Sequence, residues 1–349
     1  MSRAGMSTRP LLPRAQARLP LYAGIDLGGT NIKAALVDDE GRIVAFHTEP
    51  THADRGPEDA AARMGRAVHT LAGMAGIAAS DIAAVGLGTP GPQDLRTGVI
   101  IRAGNLPGWD DFPVRDRVAA HCGQPVTYAN DAGAAGYGEF WVGSGRAASS
   151  LVLLTLGTGI GAGIIIDEVS IDGAHSHGSE CGHIIVDPSD AARRCPCGQP
   201  GHLEAYTSAT SLVARGREAL AAGAGGSLAA AVAAGEKLTP LLIGREAATG
   251  DPLATELLME TARWLGIGIV TLMHTIDPEI VLLGGAMLFG GEENPVGRAF
   301  IERVRAEVKK RTFPLLAAKT PIRFASLGGD AGSIGAAGLA RLAHRRGKA

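Results

Sequence analysis

Two cysteines and two histidines between residues 183 and 202 form the pattern most typical of a chemical site. Cys195 and Cys197 are one residue apart, His202 lies four residues after Gly198, and His183 lies upstream. Thiolate and imidazole are ligands that tetrahedral Zn²⁺ prefers, and four protein ligands close its coordination sphere. The pattern therefore predicts a structural zinc site; the alternative for the cysteine pair alone is two small buried residues. Weaker alternative ligands are Cys181, His175 and His177.

Two glycine-rich turns, each between two apolar segments, could bind phosphate groups. They are Asp26–Thr30 and Gly157–Gly161. Consecutive backbone N–H groups that no side chain obstructs form an anion-binding concavity. Thr30 adds a hydroxyl donor, and Asp26 could hold a hydrated Mg²⁺. Two ordinary β-turns are the alternative, but the equivalent places of both turns in an internal repeat favour phosphate binding.

Asn130 and Asp131 stand between a predicted strand and a predicted helix. The carboxyl ends of strands are where open α/β sheets bind ligands. An aspartate there could accept the proton of a hydroxyl nucleophile during phosphoryl transfer. The alternative is that Asp131 caps the helix. Asn105, in a loop with Trp109, could bind a polyol, or the loop could be a simple turn with a packed tryptophan.

Composition and motifs exclude several classes of protein. The 349 residues carry 33 Lys and Arg against 35 Asp and Glu, so no basic excess indicates a nucleic acid or membrane partner. No P-loop motif is present. The Gly86–Gly91 segment fits G-x-G-x-x-G, but its prolines prevent the helix that a dinucleotide site requires. Four cysteines are too few for a disulfide framework, and with no export signal we expect a cytoplasmic protein.

Hydrophobic patterning predicts two related α/β lobes. Predicted strands are 22–27, 32–37, 42–48, 82–87, 125–128, 280–283 and 322–325, and predicted helices are 57–76, 113–121, 132–141, 253–275, 296–311 and 331–345, with further helices near 203–220. Residues 21–38 align with residues 150–167 at a shift of 129, strand on strand and turn on turn. The long uncharged stretch 147–166 is therefore interpreted as a hairpin. Residues 1–20 are expected to be a disordered tail.

These stretches together resemble the ROK family of sugar kinases (repressor, open reading frame, kinase), and its bacterial glucokinase branch best, from about Leu21 to Ala340. The segments that carry the resemblance are Asp26–Thr30, Gly88–Gly91, Asn105–Trp109, Asn130–Asp131, Leu156–Gly161, Glu180–His183, Cys195–Glu204 and Leu283–Gly285. The resemblance implies an actin-like ATPase (ribonuclease H-like) fold with two α/β lobes around a cleft. The small lobe would be residues 21–131, to which a helix at about 331–345 returns. The large lobe would be residues 132–330 with a zinc-binding insert at 174–204.

The resemblance also implies roles for individual residues. ATP with Mg²⁺ would be bound by Asp26, Gly28, Gly29, Thr30, Lys33, Gly157, Thr158, Gly159, Gly284 and Gly285, the last two near the adenosine. The sugar would be bound by Gly88, Asn105, Asn130, Asp131, Glu180, His183 and Glu204. Asp131 would be the catalytic base, and zinc would be bound by His183, Cys195, Cys197 and His202. The family usually has a cysteine where this chain has His202.

The expected function is ATP-dependent phosphorylation of the C6 hydroxyl of a hexose, most simply glucose to glucose 6-phosphate, by a homo-oligomer (a dimer or a tetramer). An alternative is a kinase for N-acetylmannosamine or N-acetylglucosamine, because the same residues would hold the ring. A sugar-sensing repressor needs a DNA-binding domain, and we expect the roughly twenty residues before the first strand to be too few to form one. A zinc-stabilised sugar-binding protein without turnover is a further alternative. Polyphosphate in place of ATP also stays open.

Overall fold

A computed structural model of the chain describes residues 10–103 and 106–347, which form a mixed α/β protein. Its strands are β1 (Leu21–Leu27), β2 (Asn31–Val37), β3 (Ile43–Pro50), β4 (Ile82–Thr89), β5 (Gln93–Asp94), β6 (Val99–Ile100), β7 (Val126–Asn130), β8 (Ser150–Leu156), β9 (Ile160–Ile166), β10 (Val169–Ser170), β11 (Ile280–Gly285) and β12 (Ile322–Phe324). Its helices are α1 (Pro57–Ala75), α2 (Val114–Cys122), α3 (Asp131–Trp141), α4 (Glu204–Thr207), α5 (Ala209–Ala221), α6 (Ser227–Ala233), α7 (Pro240–Ala248), α8 (Pro252–Ile276), α9 (Pro295–Arg311), α10 (Pro314–Lys319) and α11 (Ala331–Arg345).

The first sheet has the strand order β3-β2-β1-β4-β7. Strands β1, β2 and β3 form an antiparallel meander because tight turns join them, as the sequence predicts. Strands β1, β4 and β7 are mutually parallel. Parallel neighbours require long crossover connections, and these contain α1 and α2. The parallel half of this sheet therefore brings three carboxyl ends to one edge.

The second sheet repeats this arrangement, with the order β10-β9-β8-β11-β12. Strand β11 is parallel to β8 and to β12. A shift of 129 residues carries β1 onto β8 and β2 onto β9, residue for residue. The internal repeat is therefore confirmed, and the uncharged stretch at 147–166 is a hairpin. Among the helices of residues 10–103 and 106–347, none has the length and apolar character needed to cross a membrane.

The chain divides into two compact units. The described residues of Met1–Ser150, Gly163–Ser179 and Ser326–Ala349 form the first, and Leu151–Ala162 with Glu180–Ala325 form the second. Helix α11 belongs to the first unit, where it packs on β1, β4 and α3. Helix α3 also belongs to the first unit, although the sequence interpretation begins the large lobe at residue 132.

Apolar residues cover both faces of the first sheet. One face packs against α1 and α2 around Ile25, Leu87 and Met64, which are fully buried. The other face packs against α11, and Val37 and Ile334 belong to the same cluster of buried apolar residues there. Helix α1 begins with a proline and ends at Gly76 in the left-handed conformation, so local sequence sets both of its ends.

Glycines allow α11 to approach the first sheet and α3 closely. A Cβ atom at Gly86 of β4 would lie 1.9 Å from the carbonyl oxygen of Ala336, and one at Gly24 would lie 1.9 Å from that of Ser333. On α11 itself, a Cβ atom at Gly335 would lie 1.7 Å from the carbonyl oxygen of Ala134. Gly86 therefore contacts a helix, whereas the first glycine of a dinucleotide-binding fingerprint would approach a phosphate. No helix starts directly after Gly91, as the sequence predicts.

The glycine contact predicts a large difference between two Gly→Ala variants. Gly86→Ala should displace α11 and destabilise the protein by roughly 1–3 kcal/mol, as overpacking does. Gly73→Ala is the control, since it lies exposed in α1 with nothing within 4 Å of an added Cβ. That control should be neutral or stabilising by about 0.5–1 kcal/mol. Thermal unfolding of both variants tests this, and equal midpoints would contradict the packing role of Gly86.

Candidate active site

The carboxyl ends of β1, β4 and β7 bring together residues that are far apart in the sequence. The strand register pairs Asp26 with Gly88 and Gly88 with Ala129, and Asn130 follows at the end of β7. A Cβ atom at Gly88 would lie 3.5 Å from the Cα atom of Asp131. Gly88 therefore lies, buried, between the predicted Mg²⁺-holding residue and the backbone of the predicted catalytic base. Four of the predicted site residues meet at this edge of the sheet.

The carboxyl group of Asp26 has a raised pKa at this edge of the sheet. Burial and, after it, the negative charge of Asp131 raise the pKa of its carboxyl group, Lys33 opposes both effects, and the resulting pKa is about 7. The carboxylate also lies close to the start of α11, where a Cβ atom at Gly332 would be 2.5 Å from Oδ2. The Lys33 ammonium donates a hydrogen bond to the Gly329 carbonyl oxygen at 2.7 Å. Lys33 is thus tied to the segment before α11, a contact that sequence analysis did not predict.

Asn130, and not Asp131, is the N-cap of α3. The Asn130 Oδ1 atom accepts hydrogen bonds from the N–H groups of Ala132 at 2.9 Å and Gly133 at 3.1 Å. Asp131 is the first helical residue, and its Oδ1 atom accepts from the Ala132 N–H group at 2.8 Å. The alternative interpretation of Asp131 as a simple cap is therefore wrong. The side chain of Asn130 satisfies the helix end, and the Cα atom of Asp131 lies at the sheet edge beside Gly88.

The first glycine turn is held from outside by one threonine. The Thr51 hydroxyl donates to the Gly28 carbonyl oxygen at 2.6 Å, and its N–H group donates to the Thr30 carbonyl oxygen at 2.8 Å. Gly29 and Thr30 are exposed at the tip of the turn. Sequence analysis missed Thr51, because a residue 23 positions away gives no local signal of this contact.

In the second unit, two predicted nucleotide-binding segments meet at the carboxyl ends of β8 and β11. The register pairs Gly285 with Leu156, the residue that precedes Gly157. Gly285 has φ +92°, and a Cβ atom there would lie 2.4 Å from the Leu156 carbonyl oxygen. Gly284 is buried beside Thr155. Only glycine fits the approach at position 285, which brings Gly284–Gly285 next to the second glycine turn.

The second glycine turn is fixed at the start of α5 and by a carboxylate. The Gly157 N–H group donates to the Gly159 carbonyl oxygen at 3.0 Å, and the Ala209 N–H group donates to Gly157 at 2.9 Å. The Thr210 hydroxyl donates to the Thr158 carbonyl oxygen at 2.8 Å. Glu204, predicted as a sugar ligand, accepts a hydrogen bond from the Ile160 N–H group through Oε2 at 2.8 Å.

The four predicted zinc ligands form a compact cluster in the second unit. Their candidate ligand atoms all lie within 4.8 Å of one another. The Nδ1 atoms of His183 and His202 are 3.2 Å apart, Cys195 Sγ is 3.7 Å from His183 Nδ1, and Cys197 Sγ is 3.2 Å from His202 Nδ1. Tetrahedral Zn²⁺ with these ligands implies separations of about 3.3–3.8 Å between ligand atoms. The donor set and its spacing therefore fit a closed tetrahedral metal site.

Protonation of the cluster is consistent with a cation binding there. Burial, together with the nearby His183, lowers the pKa of His202 and so favours the neutral imidazole that binds metal. Burial raises the pKa of the Cys195 thiol to about 12, and a bound cation would act in the opposite direction by stabilising the thiolate. With Nδ1 of His183 in the cluster, its Nε2 atom faces outward, 3.9 Å from Glu180 Oε2.

Backbone contacts shape the loop that carries this cluster. A Cβ atom at Gly201 would lie 2.1 Å from the Asp187 carbonyl oxygen, so the chain reverses where only glycine fits. The Tyr206 hydroxyl donates to Asp187 Oδ2 at 2.6 Å and accepts from the Arg193 N–H group at 2.8 Å. The ring of Tyr206 packs on Trp264 of α8. The loop is therefore anchored to the body of the second unit.

Several predicted site residues lie elsewhere. Asn105 lies outside the described residues, and Trp109 is fully buried beside Phe112, as in the alternative of a packed tryptophan. Cys181 is buried, which raises the pKa of its thiol to about 12. Among the residues that the structure describes, it does not belong to the cluster of His183, Cys195, Cys197 and His202. The weaker candidates His175 and His177 are absent from that described cluster too.

Comparison with known proteins identifies the family. Residues 22–343 match the ROK family. The chain belongs to this family. The ROK resemblance inferred from the motifs is therefore confirmed.

Named relatives within the family are similar over nearly the whole chain. A glucokinase of Halalkalibacterium halodurans is 32% identical over 320 residues, 92% of this chain and 94% of that protein. The ROK hexokinase of Thermus thermophilus has 32% identity and a TM-score of 0.78, covering 94% of this chain and all of that one. A ROK glucokinase of Streptomyces griseus, solved with glucose and AMPPNP, has 33% identity and a TM-score of 0.74, covering 93% of this chain and all of that one. ROK sugar kinases have the actin-like ATPase fold, so the predicted fold class is confirmed.

The raised pKa of Asp26 predicts how stability depends on pH in the absence of nucleotide. Between pH 4 and 7 the native state holds a proton on Asp26 that the unfolded state, with a pKa of 3.8, has lost. Stability of the wild type should therefore fall as the pH rises through this window. Asp26→Asn lacks this titration, so the wild type should lose on the order of 1–3 kcal/mol relative to the variant by pH 8.

Thermal unfolding midpoints at several pH values, measured for both proteins, provide the test. Asp131→Asn is an informative second variant, because removal of the like charge should move the stability loss toward lower pH. Parallel pH profiles for the wild type and Asp26→Asn would show that Asp26 has an ordinary pKa.

Proposed function

We propose that this ROK protein is an ATP-dependent hexose kinase that phosphorylates the C6 hydroxyl of glucose. The observation that carries the proposal is the position of Asp131 at the carboxyl end of β7, beside Gly88, with helix capping supplied by Asn130. The names of its relatives, a glucokinase and a hexokinase among them, support the same reaction and the same class of substrate.

In the proposed reaction Asp131 is the general base. Its carboxylate accepts the proton of the C6 hydroxyl as the oxygen forms a bond to the γ-phosphorus and the bond from that phosphorus to the β-bridging oxygen breaks. ADP leaves with that oxygen. Asn130, Gly88, Asn105, Glu180, His183 and Glu204 are proposed to bind the sugar ring. The position of Gly88 beside the Cα atom of Asp131 and of Asn130 at the end of β7 supports this grouping.

Backbone N–H groups are proposed to bind the phosphates of ATP. The two sets of residues are Gly28, Gly29 and Thr30 in the first turn, and Gly157, Thr158 and Gly159 in the second. Mg²⁺ that accompanies ATP would neutralise phosphate charge, and Asp26 would hold it through its water shell. That charge would also favour the ionised form of Asp26. Gly284 and Gly285 would leave room for the adenosine, and Lys33 would act through its contact with Gly329.

We assign Zn²⁺ to His183, Cys195, Cys197 and His202 as a structural ion. The ion would cross-link the loop and would take no part in the reaction, because four protein ligands leave no position for a substrate. The outward Nε2 atom of His183 would then be available to the sugar next to Glu180. Where the family usually has a cysteine, this chain has His202. A neutral imidazole in place of a thiolate gives the site one negative charge fewer.

The assignment of the base predicts a selective loss of turnover in Asp131→Asn. This variant keeps size and most hydrogen bonding but cannot accept the proton, so kcat should fall at least about 10²-fold. Glucose affinity should stay within an order of magnitude. Steady-state ADP release over a panel of hexoses and N-acetylhexosamines, with calorimetric titration of glucose, measures both effects.

Asp54→Asn, at an exposed position, is the matched control and should have wild-type kinetics. A variant Asp131→Asn that keeps a tenth of the wild-type kcat would exclude Asp131 as the base. If the wild type phosphorylates an N-acetylhexosamine more efficiently than glucose, the proposed substrate changes from glucose to that sugar.

The second glycine turn predicts a separable effect on ATP. A Cβ atom at Gly157 would have only the Gly159 carbonyl oxygen within 4 Å, at 3.9 Å, so Gly157→Ala should fold normally. The added methyl group should obstruct the phosphates and raise the KM for ATP about tenfold or more. Kinetics with each substrate varied in turn check this. An equal rise in both KM values, or none, would show that the turn has only a structural role.

The metal assignment predicts one Zn²⁺ per chain and a dependence on residue 202. His202→Cys should keep the metal and most activity, whereas His202→Ala should lose both, because three ligands bind Zn²⁺ less tightly than four. Elemental analysis of the purified proteins measures the metal. His69→Ala, an exposed position on α1, is the control. Full zinc in His202→Ala would remove His202 from the ligand set.

A further inference from the structure

The carboxylate of Glu204 joins two sites that the sequence treats separately. Its Oε2 atom accepts a hydrogen bond from the Ile160 N–H group in the second glycine turn at 2.8 Å. Its Oε1 atom lies 3.5 Å from Cys195 Sγ in the metal cluster. One side chain thus spans the gap between a predicted metal ligand and the backbone of a predicted phosphate-binding turn.

The contact with the turn is close enough to control its conformation. A Cβ atom at Gly159 would lie 2.4 Å from Glu204 Oε2 and 3.1 Å from its Cδ atom. Glu204 Oε2 therefore occupies the place that a Cβ atom at position 159 would take, and a side chain there would displace the carboxylate. Movement of the turn toward Glu204 would push the carboxylate aside, and the hydrogen bond to Ile160 opposes movement away from it.

The contact with the cluster is reinforced through the chain itself. His202 precedes Glu204 by two residues, and Leu203 between them is fully buried. Leu203 packs tightly on α8, where a Cβ atom at Gly268 would lie 2.7 Å from its Cδ2 atom. Metal binding by His202 would therefore fix the backbone from which Glu204 extends.

We infer that Glu204 is a positioning residue through which the metal cluster holds the second glycine turn in its nucleotide-binding conformation. This inference rests on the proposed binding of ATP at that turn. The affinity for nucleotide, measured without any sugar, then depends on zinc and on Glu204. A residue that only contacted the sugar would change the KM for sugar and leave sugar-free nucleotide affinity intact, so the two roles are distinguishable.

The test measures binding of Mg²⁺–AMPPNP to the full-length protein by calorimetry, without sugar. Zinc-loaded protein is compared with protein from which a chelator has removed zinc and has itself been dialysed away before Mg²⁺ is added. In the wild type, zinc removal should weaken nucleotide binding about tenfold. This is the lower end of the range of losses seen when residues that support the ligands of a site are removed. In Glu204→Ala, binding should be weakened about tenfold from the start, with no further loss on zinc removal.

Three further variants make the result specific. Glu204→Gln keeps an oxygen that can accept from the Ile160 N–H group and should recover most of the affinity. Gly159→Ala should weaken binding by itself, yet should cause no added loss in the Glu204→Ala background, where the space is vacant. Glu236→Ala removes an exposed carboxylate that pairs with Arg245 and serves as the control. All proteins are analysed for zinc and for thermal unfolding.

The outcomes separate this inference from the proposed function. If the wild type phosphorylates glucose and zinc-loaded Glu204→Ala binds Mg²⁺–AMPPNP as the wild type does, the inference is overturned and the kinase activity stands. Equal losses on zinc removal in the wild type and in Glu204→Ala also overturn it. If the zinc-loaded wild type binds no Mg²⁺–AMPPNP and releases no ADP with any sugar, the proposed function fails, and the inference fails with it.

Discussion

Parallel pairing of neighbouring strands is the constraint on which the candidate site depends. In the first sheet it aligns the carboxyl ends of β1, β4 and β7, and in the second those of β8 and β11. Parallel strands need crossover segments, which place helices on the sheet faces and leave the strand ends open. Asp26, Gly88 and Asp131 are brought together only by this register. Each unit therefore builds its candidate site from the same geometric rule.

Glycine serves two different purposes in this framework. At Gly24, Gly86 and Gly335 it lets α11 and its neighbours approach to distances that no side chain would permit. At Gly159 and Gly285 it lets backbone pass against a carboxylate or a neighbouring strand end. The first use is structural and the second shapes the candidate nucleotide site. A high glycine content therefore indicates close packing as much as it indicates phosphate binding.

The metal cluster and the second glycine turn form one polar network within the second unit. Cys195, Glu204 and Ile160 follow one another at hydrogen-bonding distances, and Tyr206 anchors the loop behind them. Polar networks whose hydrogen bonds are satisfied make a structure more rigid, so each contact restricts the next. A structural ion in such a network can influence a site that it does not touch.

The sequence alone determined the elements, the repeat and the family, because periodicity, turn residues and ligand types are local signals. The main strands and helices lie within two residues of their predicted ends, and the 129-residue shift superposes the hairpins. The two-residue strands and helices α6, α7 and α10 were missed, since few residues define them. Tertiary structure decided which atoms are partners. Glu204 bonds to Ile160 across 44 residues and Lys33 to Gly329 across 296, and Asn130 takes the cap that Asp131 could have taken. Such contacts depend on how sheets and helices pack, which local residue patterns do not encode.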